Sequence, residues 1–303
     1  MKVTKFSKII RDVTGGPGGM SLLVKGAEKN LLHDCGMACF HEELITNIER
    51  EIGEGVLDYI ALSHSHYDHM GALPYLLERW PDVQVCASEK TAEVFRRPGA
   101  VNMIESMGKS AAEFYGKNPE DVKASNLRVD IVLENGDVIN LGDEKLLCFE
   151  TRGHTDCSMS FLLQPQGILF ASESTGVMET SDRIHTSVLK SFDDSIESAE
   201  FLKVLPWKEI IVPHYGFLED EVKGKFLGMY IEAAIQEQAL LKKWIDEGLS
   251  PEEMLKEHKK RYWNDKRAEN QPFRAYKMNT EITIKMMIKD MNVSFRDNVP
   301  GKG

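Results

Sequence analysis

Three histidines and an aspartate crowd into the nine-residue segment SHSHYDHMG, residues 63–71. They are His64, His66, Asp68 and His69. Imidazole and carboxylate groups are costly to bury without partners, so core packing gains nothing from four of them in one turn. Both groups bind zinc, iron and manganese. The spacing H-x-H-x-D-H therefore predicts a metal site rather than a purely structural turn.

Further side chains of the ligand type follow apolar segments elsewhere in the chain. Asp34 follows NLLH, His154 follows LLCFETRG, Glu173 follows GILFAS and His214 follows KEIIVP. Each apolar segment is typical of a buried strand. Because open α/β sheets place ligands outside the carboxyl ends of their strands, we expect these distant side chains to meet along one edge with the first motif.

The number of candidate ligands predicts more than one metal ion. Six or seven protein ligands exceed the three or four that one ion takes at a catalytic site. Two divalent ions a few ångströms apart fit the number better. Since the donors are nitrogen and oxygen, zinc is expected first, with iron or manganese as alternatives. His64 and His66 would face one ion, and Asp68 and His69 the other.

The elements that must position these residues form two regions. From residue 2 to residue 213, short apolar runs alternate with helical stretches, which is typical of an α/β fold with many strands. From residue 219 to residue 247, apolar residues recur at helical spacing, and Gly248 can end that helix. Ser250, Pro251 and Glu253 then predict the start of another helix with a capping box. We predict a catalytic domain over 1–217 and a helical extension over 218–303.

Composition and charge limit the classes of function. The chain has 303 residues, of which 42% are hydrophobic and 28% charged, and its net charge is −11. Residues 1–217 hold 21 Lys and Arg against 33 Asp and Glu, which argues against nucleic-acid binding. No apolar run is long enough to span a bilayer. Five irregularly spaced cysteines make a disulfide framework improbable, so we expect a cytoplasmic protein without membrane partners.

Five short motifs together resemble the metallo-β-lactamase-fold hydrolase superfamily. They are LLHDCG, SHSHYDHMG, RGHTDCS, LFASE and VPHYG, in that order over residues 1–217. The resemblance implies an αββα sandwich of two mixed β-sheets. It assigns the ligands as His64, His66 and His154 for one metal, Asp68, His69 and His214 for the other, Glu173 between them, and Asp34 as an orienting residue.

Two positions differ from patterns within this superfamily. Its members usually carry Asp where this chain has Glu173, so the bridging geometry is open. The related diiron oxygen and nitric-oxide reductases usually carry Glu where this chain has His66, which favours hydrolysis here. Residues 63–91 are most similar to the quinolone-signal response thioesterase and its relatives, which act on thioesters or esters.

We therefore expect a dinuclear hydrolase in which a metal-bridging hydroxide attacks a small-molecule thioester or ester. Asp68 would accept a proton, and Tyr67, Tyr215 and His185 are candidates for the substrate pocket. The alternatives are a phosphodiesterase acting on a small phosphodiester and a metal-containing regulatory protein that acts through partners. The helical extension is expected to cover the active-site side, with Phe226, Tyr230 and Trp244 as an apolar wall; it could instead form a homodimer interface.

Overall fold

The computed structural model describes residues 9–180, 182–270 and 272–297. Residues 1–8 of the predicted catalytic domain and residues 298–303 of the predicted helical extension lie outside the described residues. The strands are β1 (Ile10–Asp12), β2 (Leu22–Lys25), β3 (Asn30–His33), β4 (Tyr59–Ala61), β5 (Gln84–Ser88), β6 (Ile131–Leu133), β7 (Val138–Asn140), β8 (Lys145–Glu150), β9 (Met159–Gln164), β10 (Ile168–Phe170), β11 (Val177–Thr180), β12 (Arg183–His185), β13 (Glu209–Val212) and β14 (Gly216–Phe217). The helices are α1 (His41–Ile52), α2 (Tyr67–Met70), α3 (Leu73–Arg79), α4 (Glu89–Phe95), α5 (Pro98–Phe114), α6 (Phe192–Lys203), α7 (Asp220–Lys223), α8 (Phe226–Asp246), α9 (Pro251–Tyr262), α10 (Asp265–Asn270) and α11 (Phe273–Asp297).

Two mixed sheets of six strands each form the sandwich. The first has the order β1-β2-β3-β4-β5-β6, with β3 to β6 parallel to one another. The second has the order β14-β13-β10-β9-β8-β7, in which β10 and β13 are parallel. A short 3-10 helix, Glu173–Thr175, follows β10 directly. Parallel neighbours end at the same edge of a sheet, which is why strand-end residues meet there.

The two sheets pack face to face. Side chains from both fill the space between them, including Leu22 and Leu31 of the first sheet and Phe161 and Phe170 of the second. Because side chains alternate along a strand, the neighbouring residues face outward. The outer face of the first sheet packs against α1 and α3, and that of the second against α6 and α8. The predicted αββα sandwich with a helical C-terminal region is confirmed.

The C-terminal helices share a core with the sandwich. Helix α8 packs along α6, and α11 packs on α8 and α9. Phe226 and Tyr230 have no exposed surface and lie in the same core as Leu162 and Leu169, and Trp244 packs against that core. Phe226 and Tyr230 therefore stabilise the fold and are not available as the substrate wall expected from the sequence. The domain boundary at residue 217 stays a prediction.

Two local expectations can be compared directly with the structure. Ser250 and Glu253 form the predicted capping box at the start of α9. All five cysteines are free. Among the helices of the described ranges, none combines the length and the apolar composition that crossing a membrane requires.

Candidate metal centre

Seven side chains from four separate places in the sequence converge at one edge of the sandwich. They form two groups, in each of which the potential ligand atoms lie within 4.8 Å of one another. One group is His64, His66 and His154; the other is Asp68, His69, Glu173 and His214. All seven are the residues predicted as ligands from the sequence. The six ligands other than Glu173 divide as the family resemblance implied, and Glu173, expected between the groups, falls with the second.

The first group consists of imidazoles alone. His66 Nδ1 and His154 Nε2 are 3.0 Å apart. His64 Nδ1 is hydrogen-bonded to the Ser63 hydroxyl at 3.0 Å. His64 Nε2 is buried without a hydrogen-bond partner. An orphaned buried polar atom is costly. Its position beside two other imidazoles is explained if this atom is a metal ligand.

Glu173 joins the two groups. Its Oε1 lies 2.9 Å from His69 Nε2 and 2.6 Å from His214 Nε2, both in the second group. Its Oε2 lies 3.1 Å from His154 Nε2 in the first group. One carboxylate oxygen therefore faces each group. The side chain of Glu173 is therefore long enough to reach both groups.

Asp34 orients His69, one of the ligands of the second group. Its Oδ2 accepts a hydrogen bond from His69 Nδ1 at 2.8 Å, which leaves His69 Nε2 facing the site. Its two oxygens also accept from the backbone N–H and the hydroxyl of Ser63, each at 2.7 Å. Carboxylates that hold a metal-binding imidazole in this way fix its tautomer and direction.

The electrostatics of the site keep its residues in ligand-competent forms. Burial, reinforced by the neighbouring His154, lowers the pKa of His66 to about 3. Burial and His69 likewise hold the pKa of His64 well below its usual value. Burial opposes ionisation of Glu173, but His154 and His214 hold the pKa of that carboxyl well below its usual value. Neutral imidazoles and an ionised carboxylate are the forms that bind metal ions.

His69 behaves in the opposite way because it faces carboxylates on both sides. Burial disfavours its charged form, yet Asp34 and then Asp68 hold the pKa of His69 well above its usual value. Glu173 raises the pKa of His214 against the same burial effect. This excess of negative charge attracts any cation, so a divalent ion would compete with protons for these two imidazoles.

The family model for the metallo-β-lactamase superfamily matches residues 14–214. The chain belongs to the metallo-β-lactamase superfamily. Solved structures agree on the fold. An archaeal metallo-β-lactamase superfamily protein from Sulfolobus tokodaii superposes with a TM-score of 0.58 at 19% identity, covering 74% of this chain and 85% of that one. A metallo-β-lactamase from Cronobacter sakazakii gives 0.56 at 20% identity, covering 77% and 96%.

The chain is also similar to curated proteins that are named as nitric oxide reductases. The anaerobic nitric oxide reductase flavorubredoxin of Aliivibrio fischeri is 26% identical over 227 residues, which are 73% of this chain and 39% of that protein. The chain thus spans about two fifths of the length of this relative. A flavo di-iron protein variant from Thermotoga maritima superposes with a TM-score of 0.52 at 20% identity, over 71% of this chain and 52% of that one.

The donor set of this metallo-β-lactamase fold fits divalent metal ions. Two imidazole nitrogens that bind one zinc ion at tetrahedral angles lie roughly 3.3 Å apart. The separation between His66 Nδ1 and His154 Nε2 is 3.0 Å, and His69 Nε2 and His214 Nε2 are 3.3 Å apart. The nitrogen and oxygen donors suit zinc, iron or manganese, and the superfamily fold agrees with a dinuclear site.

Unusual backbone conformations concentrate at this edge. Among the described residues, four non-glycine residues have positive φ, and three of them are Asp34 (55°), Ser187 (54°) and His214 (60°). Such residues cost free energy and persist where surrounding contacts hold them. Gly153, just before His154, also has a positive φ of 132°, and a Cβ there would lie 2.4 Å from Ser195 Cβ. The turn that delivers His154 therefore requires glycine.

The three predicted pocket residues have different surroundings. Tyr67 is half-buried and packs beside Met37 and Phe40, and burial together with Asp68 raises its pKa. Tyr215 is half-buried against the core of the second sheet. His185 lines a small cavity beneath the C-terminal helices, and burial holds its pKa well below its usual value. Their contact with a substrate stays a prediction.

Two residues of the site were not predicted from the sequence. Ser63 links Asp34 to His64. Ser187 accepts from His154 Nδ1 through its carbonyl oxygen at 2.5 Å and donates to Glu173 Oε2 through its hydroxyl at 3.2 Å. Ser63 could have been found from its place beside the first motif. Ser187 carries no local signal.

Proposed function

We propose that this protein is a metal-dependent hydrolase that cleaves small-molecule thioesters or esters. The observation that carries the proposal is the pair of ligand groups joined by Glu173 at a partly open edge of the sandwich. Two divalent ions, zinc by preference and otherwise iron or manganese, would supply a nucleophilic water near neutral pH and Lewis acidity toward a carbonyl oxygen. The substrate class is proposed from the sequence resemblance of residues 63–91 to the quinolone-signal response thioesterase and its relatives.

The residues at the opening have the properties that hydrolysis needs. The side chains of Asp68 and His214 are 19% and 23% exposed, whereas those of His69 and Glu173 are almost fully covered. Asp68 is therefore the carboxylate best placed to accept a proton from an attacking water and to return it to the leaving group. The raised pKa of Tyr67 keeps its hydroxyl protonated beside Asp68.

Reduction of nitric oxide or oxygen is the second candidate. It is favoured by the curated flavorubredoxin relatives and by the flavo di-iron structure. The first ligand group argues against it, because all three donors are imidazoles, and the reductases usually have Glu at the position of His66. An all-imidazole group suits zinc, which has no redox chemistry.

A substrate panel tests the proposal. Protein loaded in turn with zinc, iron and manganese is assayed on an acyl thioester, a p-nitrophenyl ester, a phosphodiester chromogen and, after reduction of the iron form, nitric oxide. We expect turnover of the thioester or ester and a loss of at least about 100-fold in His69→Ala. His41→Ala should change turnover little, since His41 stacks on Tyr75 and belongs to neither ligand group. Nitric oxide turnover without ester cleavage would contradict hydrolysis.

The variant His66→Glu separates the two chemistries more sharply. It introduces the carboxylate that is usual in the diiron reductases and leaves the other six ligands in place. Hydrolysis depends on the imidazole, so we expect a fall in kcat with zinc and a weaker zinc affinity. A variant that hydrolyses esters as fast as the parent would show that His66 does not decide the chemistry.

A further inference from the structure

The short segment between β12 and α6 lies between the metal centre and the C-terminal helices. Its second residue, Ser187, is buried and has a φ of 54°, a conformation that residues with a side chain rarely adopt. Residues in this region persist only when surrounding contacts over-determine them. Something must therefore hold Ser187 in place.

Ser187 contacts both parts of the metal centre. Its carbonyl oxygen accepts a hydrogen bond from His154 Nδ1 at 2.5 Å, which leaves His154 Nε2 directed at the site. Its hydroxyl lies 3.2 Å from Glu173 Oε2. Glu173 is the carboxylate that joins the two ligand groups. A shift of Ser187 would turn the His154 ring and free one oxygen of that carboxylate.

Two C-terminal helices hold the residues on either side of Ser187. The Thr186 hydroxyl donates a short hydrogen bond to Glu237 on α8. The Thr283 hydroxyl on α11 donates to the backbone carbonyl of Val188 at 2.7 Å. Thr186, Glu237 and Thr283 are all buried, so water does not compete for these bonds.

Glu237 on α8 is itself held by contacts that involve α9 and α11. Glu237 Oε1 lies 3.0 Å from His258 Nε2 on α9. His258 Nδ1 lies 2.7 Å from the Tyr276 hydroxyl on α11. A buried carboxylate without partners would be unfavourable. Here both oxygens of Glu237 are satisfied, one by the helices and one by the segment that supports the metal ligands.

We infer that the C-terminal helices are part of the metal centre and that Glu237 and Thr283 are positioning residues for its ligands. Acting through Thr186 and Val188, they hold Ser187 at positive φ, and Ser187 directs His154 and Glu173. The inference rests on the metal centre of the proposed function but not on its substrate. It predicts that changes on α8 and α11 alter metal binding through residues 186–188.

Two conservative variants and a matched control test this inference. Thr283→Val removes one hydroxyl, and Glu237→Gln removes one charge at nearly constant volume. Ser250→Ala removes the N-cap of α9, which destabilises the same helices without touching residues 185–189. Each variant is checked for folding by circular dichroism and urea unfolding. Metal affinity is then measured by chelator competition, and the visible spectrum of the cobalt(II) form reports ligand geometry.

We expect Thr283→Val and Glu237→Gln to weaken the affinity for the first ion by about 10- to 100-fold, as is usual when a group orienting a ligand is lost. Their cobalt spectra should change, and Thr283→Ser, which keeps the hydroxyl, should restore both properties. Ser250→Ala should lower the urea midpoint alone. Unchanged affinity and spectra in both variants, or equal changes in Ser250→Ala, would overturn the inference while leaving the proposed function intact. A parent protein that binds fewer than two ions would contradict the metal centre and this inference with it.

Discussion

Replacement of Asp34 gives a prediction whose size follows from the structure. Asp34→Ala removes the acceptor of three hydrogen bonds, two from Ser63 and one from His69. The Ser63 hydroxyl can turn to His64 Nδ1 at 3.0 Å, so two buried donors are left unpaired. Each costs about 1–3 kcal/mol. Asp tolerates a positive φ better than Ala, so the backbone at a φ of 55° becomes more strained as well. From the lost hydrogen bonds alone, the free energy of unfolding should fall by roughly 2–6 kcal/mol.

Asp34→Asn separates this structural loss from the effect on the metal. Asparagine tolerates positive φ, and its carbonyl oxygen can still accept from the Ser63 N–H. Its amide group cannot accept from His69 Nδ1 at the same time, so the orientation of His69 is lost. We expect a folded protein whose affinity for the second ion is about 10- to 100-fold weaker. Urea unfolding in chelator measures stability, and chelator competition measures affinity. Parental metal affinity in Asp34→Asn would refute the assignment of Asp34.

Three further predictions concern the same edge of the sandwich. Burial lowers the pKa values of His33, His64 and His66, so the unfolded chain binds more protons than the folded chain below pH 6.5. The free energy of unfolding of chelator-treated protein should therefore fall as the pH is lowered from 6.5 toward about 3, by up to about 1.4 kcal/mol per pH unit for each histidine. A free energy of unfolding in urea that stays constant over that range would contradict these environments. Gly153→Ala should lower the free energy of unfolding by more than about 2 kcal/mol, because the new Cβ meets Ser195 at a positive φ; parental stability in urea would show that the turn can relax. His214→Ala should lower the metal content from two ions to one, since the first ligand group keeps its three imidazoles; two ions by elemental analysis would disprove this role.

The ligands could be predicted from the sequence because the evidence for them is local. His64, His66, Asp68 and His69 occupy one turn, and the later ligands each stand at the end of an apolar run. Those runs become buried strands, so the position of a ligand along the sequence also gives its position at the edge of the sheet. Glu in place of the usual Asp did not hide the site, because Glu173 follows the apolar run that becomes β10.

The surroundings of the ligands could not be predicted in the same way. The hairpin β11–β12 falls almost wholly in the polar segment METSDRIHTS, which lacks the alternation of a half-buried strand and therefore predicts none. Ser187 depends on Glu237 and Thr283, which contact its two neighbours from 51 and 95 residues away. Helical spacing in α8 correctly marked a buried face, but it could not say that Phe226 packs on the second sheet rather than on the metal cleft.

The central claim is that seven side chains at one edge of the sandwich hold two metal ions. Native mass spectrometry of the protein under metal-replete conditions, combined with elemental analysis, measures this most directly. We predict two divalent ions per chain, and fewer in Glu173→Ala because that carboxylate faces both ligand groups. A parent protein that never exceeds one ion per chain, or a Glu173→Ala variant that still binds two with parental affinity, would contradict the account.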